Sequence, residues 1–171
     1  MKRKIISALM VGVMCVSVFA FAGCSSSGSG SSGDTIKIGA LGPYTGDTAM
    51  YGVAAKNRIE LAAEQINENG GIGGKKVEVV SYDTKGDSTE AVNAYNRLRD
   101  QDGVVAIVGS VLTGESMAIK DLAKSDNMPI LTPTSTAADV TEGAPNSFRV
   151  CYLDEYQGNA GANFAVSTEN G

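Results

Sequence analysis

Hydroxyl side chains crowd two short stretches of the chain. Gly109-Ser110-Val111-Leu112-Thr113-Gly114-Glu115-Ser116 and Thr132-Pro133-Thr134-Ser135-Thr136-Ala137 carry seven Ser or Thr residues between them. Hydroxyls beside the free backbone N–H groups of a helix start can hold a carboxylate without any arginine, because those N–H groups and the helix dipole both favour negative charge. Ordinary helix capping explains one Ser or Thr per loop; it explains seven across two loops less readily, and both uses stay open on composition alone. A third stretch, GPYTGDTAMYG from Gly42 to Gly52, combines three glycines, a proline and two tyrosines with one acid and no base.

Turnover chemistry finds little support. The sequence contains no histidine, which removes Ser-His-Asp and Cys-His nucleophile systems and the commonest general base. Cys151 has no cysteine partner outside the N-terminal segment, and the acids are scattered along helix faces, so no metal-ligand cluster is expected. Asp83, in Ser81-Tyr82-Asp83-Thr84, is the best remaining candidate acid, and at a strand end it reads first as a turn or cap residue. Two glycine-rich stretches imitate nucleotide motifs. Gly28-Ser29-Gly30-Ser31-Ser32-Gly33 matches G-x-G-x-x-G but follows no strand and opens no helix. Gly70-Gly71-Ile72-Gly73-Gly74-Lys75-Lys76 lacks the first glycine and the Ser/Thr of a P-loop and reads as a helix stop and turn. No cofactor is implied. The charge balance, 14 basic against 19 acidic residues, would repel phosphate backbones, and nucleic acid is not an expected partner.

The elements that must position the three loops follow from periodicity. Ile36 to Leu41, Val77 to Tyr82, Val104 to Val108 and Pro129 to Leu131 are short apolar runs of the kind buried on both faces of a parallel sheet. Between them lie helical patterns. Tyr51 to Asn69 places Ala55, Ile59, Ala62, Ala63 and Ile66 on one face, with Gly70 as its stop. A helix capped by Asp87 turns Ala91, Ala94, Tyr95 and Leu98 inward, and one from Gly114 to Ser125 turns Ala118, Ile119, Leu122 and Ala123 inward. The alternation predicts an α/β, doubly wound parallel sheet. In such sheets ligands bind outside the carboxyl ends of the strands, where all three loops fall.

Residues 1–23 read as an address. MKRK and the apolar run IISALMVGVMCVSVFAF form a secretory signal. Phe21-Ala22-Gly23-Cys24 then resembles a bacterial lipobox whose cleavage leaves Cys24 as a lipidated N-terminus, with Phe21 where leucine is usual. Residues 24–33 are a Ser/Gly tether.

IKIGALGPYTGDTAMYGVAAKNRIELAAEQINENGGIGGKKVEVVSYDTKGDSTEAVNAYNRL, VVAIVGSVLTGES and MPILTPTSTAADVT, taken in order, resemble the N-terminal lobe of the leucine/isoleucine/valine-binding proteins of ABC amino-acid importers, a type I periplasmic binding fold with Rossmann-like lobes. The resemblance implies that residues 34–150 are the N-terminal ligand-binding lobe and that residues 151–171 cross toward a second lobe. It implies a solute-binding lipoprotein, not an enzyme, lipid-anchored on the outer or periplasmic face of the membrane. A small amino acid, of branched-chain type, would be its ligand and an ABC permease its partner. A ligand-sensing receptor module and a binder of amides, urea or aromatic acids are the alternatives. By position, Thr113 would grip the α-carboxylate with Gly114 beside it, and Thr134 would offer its carbonyl to the ammonium group. Thr136 would add hydroxyl and N–H next to Ser135, and Tyr51 would line the side-chain pocket. Thr84 and Leu112 stand near a disulfide found in some members, so that clamp is absent here. The acid that neutralises the ligand ammonium belongs to the second lobe, so one lobe alone is expected to bind weakly, at about millimolar concentration.

Overall fold

The computed structural model describes residues 35–167; the signal segment, the tether and Cys24 lie outside the described residues. Five parallel strands form one sheet: β1 (Thr35–Gly42), β2 (Lys76–Asp83), β3 (Ala106–Val108), β4 (Ile130–Thr132) and β5 (Ser147–Arg149), in the order β2-β1-β3-β4-β5. Gly39 pairs with Val80 on one side and Ile107 on the other. The helices are α1 (Ala49–Glu68), α2 (Ser88–Arg97), α3 (Thr113–Ser125) and α4 (Asp154–Ser167). The expected α/β, doubly wound parallel architecture is thus present, with the expected elements in the expected order. Sequence periodicity did not mark β5, whose three residues are too few to show a pattern, and β3 is shorter than the apolar run that contains it. Among the described residues no helix is long and apolar enough to cross a membrane.

The core sits on one face of the sheet. Leu41, Ile107 and Ile130 meet Ala91 and Tyr95 from α2, Leu98 from the turn that directly follows it, and Ile119 and Ala123 from α3, all buried. Of the residues expected to face inward, Ala91, Ala94, Tyr95, Leu98, Ile119 and Ala123 are buried in this core, Leu122 packs against it half-buried, and Ala118 is half-buried. Asp87 accepts the N–H of Glu90 at 2.9 Å as the N-cap of α2, which fixes where that helix begins.

Helix α1 behaves differently. Its expected apolar face is only partly covered: Ala63 is buried, Ala55 and Ile59 are half-buried, and Ala62 and Ile66 are exposed. The reason is geometric. Helix α1 packs chiefly on β1 and β2, so the sheet face beyond it stays open. An apolar groove of about 800 Å³ runs along this side, lined by Ile59, Ala62 and Ile66 of α1, by Val79 and Val108 of the sheet and by Val150. Glycine permits the tight entry to α1: a Cβ on Gly52 would lie 1.9 Å from the Pro43 carbonyl oxygen. The turn Gly70 to Gly74 has positive φ at each of its four glycines and leads into β2, as its sequence suggests.

Candidate functional site

The strand order reverses beside β1, with β2 on one flank and β3 on the other, so the crevice where ligands bind in open α/β sheets lies outside the ends of β1 and β3. The loops after β1, β3 and β4 meet there. What holds them is a set of buried polar groups that apolar patterning could not reveal.

Thr84, Ser110, Glu115, Ser116, Thr132 and Ser135 are all at most 2% exposed. Glu115, in the first turn of α3, accepts the Thr84 hydroxyl at 2.5 Å on Oε1 and the Ser110 hydroxyl on Oε2. No Lys or Arg pairs with it among the described residues. Its carboxylate therefore joins the exit of β2 to the exit of β3 through hydroxyls alone. Ser116 Oγ lies 2.8 Å from Ser135 Oγ and 3.1 Å from Ser110 O. Thr132 Oγ1 lies 2.8 Å from both Ser110 O and Ser135 Oγ and accepts the Ser135 N–H at 3.1 Å. Thr134 donates its hydroxyl to Val111 O at 2.5 Å. The loops after β3 and β4 are thereby stitched into one surface.

This network divides the seven hydroxyls by role. Ser110, Ser116, Thr132, Thr134 and Ser135 are consumed internally. Ser135 in particular is turned inward, so its side chain supports the loop and presents nothing to solvent. Thr113 and Thr136, both half-buried, are the two whose hydroxyls have no protein partner among the described residues. The N-cap of α3 is Leu112, which makes no side-chain cap bond, and Gly114 is exposed in the first turn. The first intrahelical bond runs from Ser116 N–H to Leu112 O, so the preceding N–H groups remain available. Capping does not use up Thr113.

The loop after β1 is shaped by Asp83. Its Oδ1 accepts the N–H of Tyr44 at 2.7 Å, Lys85 at 2.8 Å and Thr45 at 3.3 Å, and its Oδ2 accepts the Thr45 hydroxyl at 2.5 Å. Burial pushes this carboxyl up, but the Thr45 hydroxyl and the three N–H donors outweigh it and hold it below the usual carboxylate range. Asp83 is a loop organiser held ionised, the turn role its position suggested. Tyr44 follows in the same loop, its phenol pushed up to about 12 chiefly by burial. Beyond it, Tyr51 opens onto the groove rim, 57% exposed, together with Thr134 and Pro133. Thr113, Gly114 and Thr136 lie outside that rim on the neighbouring strand exits. Among the described residues no group of three or more acids or cysteines could hold a metal ion.

Comparison with known proteins agrees with the fold. Residues 35–171 match the family model described as periplasmic binding protein. The chain is 35% identical over 132 residues to the Leu/Ile/Val-binding protein BraC3 of Rhizobium johnstonii, covering 77% of this chain and 36% of that protein. Two solved structures are similar. The leucine binding protein LivK of Thermotoga maritima is 38% identical with a TM-score of 0.70, covering 76% of this chain and 36% of that one. The branched-chain amino acid transporter substrate binding protein LivJ of Streptococcus pneumoniae, solved with isoleucine, is 35% identical with a TM-score of 0.74, covering 79% and 38%. The chain thus spans little more than a third of the length of these relatives. With the parallel sheet, the stitched loops and a match over most of its length, the chain belongs to the periplasmic binding protein family.

Proposed function

We propose that residues 34–150 act as the N-terminal ligand-binding lobe of an extracytoplasmic solute-binding protein of an ABC importer, taking a small amino acid of branched-chain type for delivery to a membrane permease. Thr113, Gly114 and Thr136 hold the ligand carboxylate. The Thr134 carbonyl faces the ammonium group, Ser135 braces the loop and Tyr51 offers an apolar wall. The observation that carries this reading is the pair of partnerless hydroxyls, Thr113 and Thr136, beside an N-terminus of α3 that no side chain caps. The positions of these two residues in the resemblance support the same reading. The activity proposed is binding without turnover, a reading that the absence of histidine, the commonest activator of a hydroxyl, supports.

Titrating the chain with L-leucine tests it. Thr113→Val and Thr136→Val each remove one hydrogen bond to a charged group, and affinity should fall about tenfold. Stability should stay within about 0.5 kcal/mol, because neither hydroxyl has a protein partner to lose. A parent chain that shows no response to leucine, or variants that bind it unchanged, would rule the site out.

We further propose that Cys24 is the lipid-bearing N-terminus of the mature protein, which the Ser/Gly tether holds to the membrane. The support is the small-residue pattern before Cys24 and the apolar run preceding it. Mass spectrometry of membrane-extracted protein is expected to show a diacylated or triacylated Cys24 as the first residue; an intact Met1 would refute this.

A further inference from the structure

Arg149, the last residue of β5, is a half-buried cation without a counter-ion. No carboxylate lies within ion-pair distance of it among the described residues. Its guanidinium instead turns to the loop after β4. Nη1 donates to the carbonyls of Ser135 at 3.2 Å and Ala137 at 2.6 Å, and Nη2 donates to the Thr141 hydroxyl at 3.0 Å. The Cys151 thiol also points at Ser135 O, at 3.4 Å. A buried guanidinium ordinarily takes a carboxylate in its fork; one that gathers carbonyls leaves its charge unneutralised.

The two carbonyls flank Thr136. Ser135 C=O and Thr136 N–H belong to one peptide unit, so a cation at the oxygen draws electron density from the nitrogen and makes that N–H a stronger donor. Chains of hydrogen bonds polarise one another in this way. Resting on the reading of Thr136 as a carboxylate ligand, we propose that Arg149 is a positioning residue that confers preference for an anionic ligand end, relaying its charge through the Ser135–Thr136 peptide. The guanidinium never touches the ligand. It fixes the orientation of the Thr136 N–H, strengthens it, and adds a positive field that favours a carboxylate over a neutral amide.

The experiment compares L-leucine with L-leucinamide, which keeps the ammonium group and lacks the carboxylate, by NMR titration of the isotope-labelled chain observed at the Thr136 amide. With Arg149→Gln, leucine is expected to bind about threefold to tenfold more weakly, while leucinamide binds unchanged or more tightly because a like charge has gone. Arg149→Lys, which keeps the charge, should retain the preference for the acid. Equal weakening of both ligands indicates a purely structural role and overturns the proposal, as does unchanged leucine binding. Should Arg149→Gln fail to fold, Arg149→Lys decides: loss of the acid preference in that variant overturns it. If the parent chain shows no response to leucine, the reading of the site itself fails. The relay is then judged in the ligand-free chain, where the Thr136 amide proton should move upfield on removing the guanidinium; an unmoved resonance overturns it.

Discussion

Gly52→Val is expected to disrupt the junction between β1 and α1. Gly52 is buried in the first turn of α1, and a Cβ there would sit 1.9 Å from Pro43 O and 2.6 Å from Pro43 C. These are backbone atoms, which cannot swing aside as a flexible side chain can. Either the GPYTGD loop or the start of α1 must move, and Tyr51 moves with it. Forced overpacking of this kind costs about 1 to 3 kcal/mol or more, which should lower Tm by roughly 5 to 15 °C for a body of this size. Gly158→Ala and Gly161→Ala in α4 supply the contrast. A Cβ at either meets nothing within 4 Å, and alanine improves helix propensity, so both should be neutral or mildly stabilising. Scanning calorimetry of the three variants is sufficient, and a Gly52→Val protein that melts with the parent would show that the close approach does not exist in solution.

Glu115→Ala should be the most damaging single change near the site. It removes the acceptors of two hydroxyls, Thr84 and Ser110, both fully buried. Each orphaned group costs about 1 to 3 kcal/mol, so a loss of about 2 to 6 kcal/mol is expected. Glu115→Gln keeps the shape, one acceptor oxygen and a donor that a hydroxyl can accept, and should lose about 1 kcal/mol or less. The favourable placement of an acid in the first turn of a helix contributes about 0.3 to 1 kcal/mol, too little to produce the alanine effect alone. Urea unfolding distinguishes the cases, provided the slope is unchanged between variants. Equal losses in Ala and Gln would mean that charge at the helix start matters and the hydroxyl clamp does not.

Much of the fold was legible in the residues because local signals there agree with one another. Asp87 capped the helix its spacing to Glu90 predicted, and Gly70 ended α1 where the periodicity stopped. Ala91, Tyr95 and Leu98 faced inward as a 3.6-residue period requires. The strand β5 escaped notice because three residues carry no period. Its membership in the sheet is a matter of pairing, Ile130 with Ser147 and Thr132 with Arg149. Helix α1 shows the opposite failure: its apolar stripe was legible, but a stripe says nothing about whether a partner lies against it.

The candidate site divides in the same way. Composition alone pointed to the hydroxyl-rich loops at the strand ends, and the absence of histidine directed the reading to binding, since both are properties of residue types and order. Which hydroxyls are free was decided only by the tertiary structure. Thr134 and Ser135 are as hydroxyl-rich in sequence as Thr136, yet Val111 O takes the first and Ser116 and Thr132 enclose the second. Glu115 and Arg149 carried no signal along the chain, one looking like an ordinary first-turn acid and the other like a surface cation. Their roles arise from contacts across 31 residues to Thr84 and 14 residues to Ser135. Hydrogen-bond partners at such separations are set by how strands are ordered in the sheet, and that order is not written in any local run of residues.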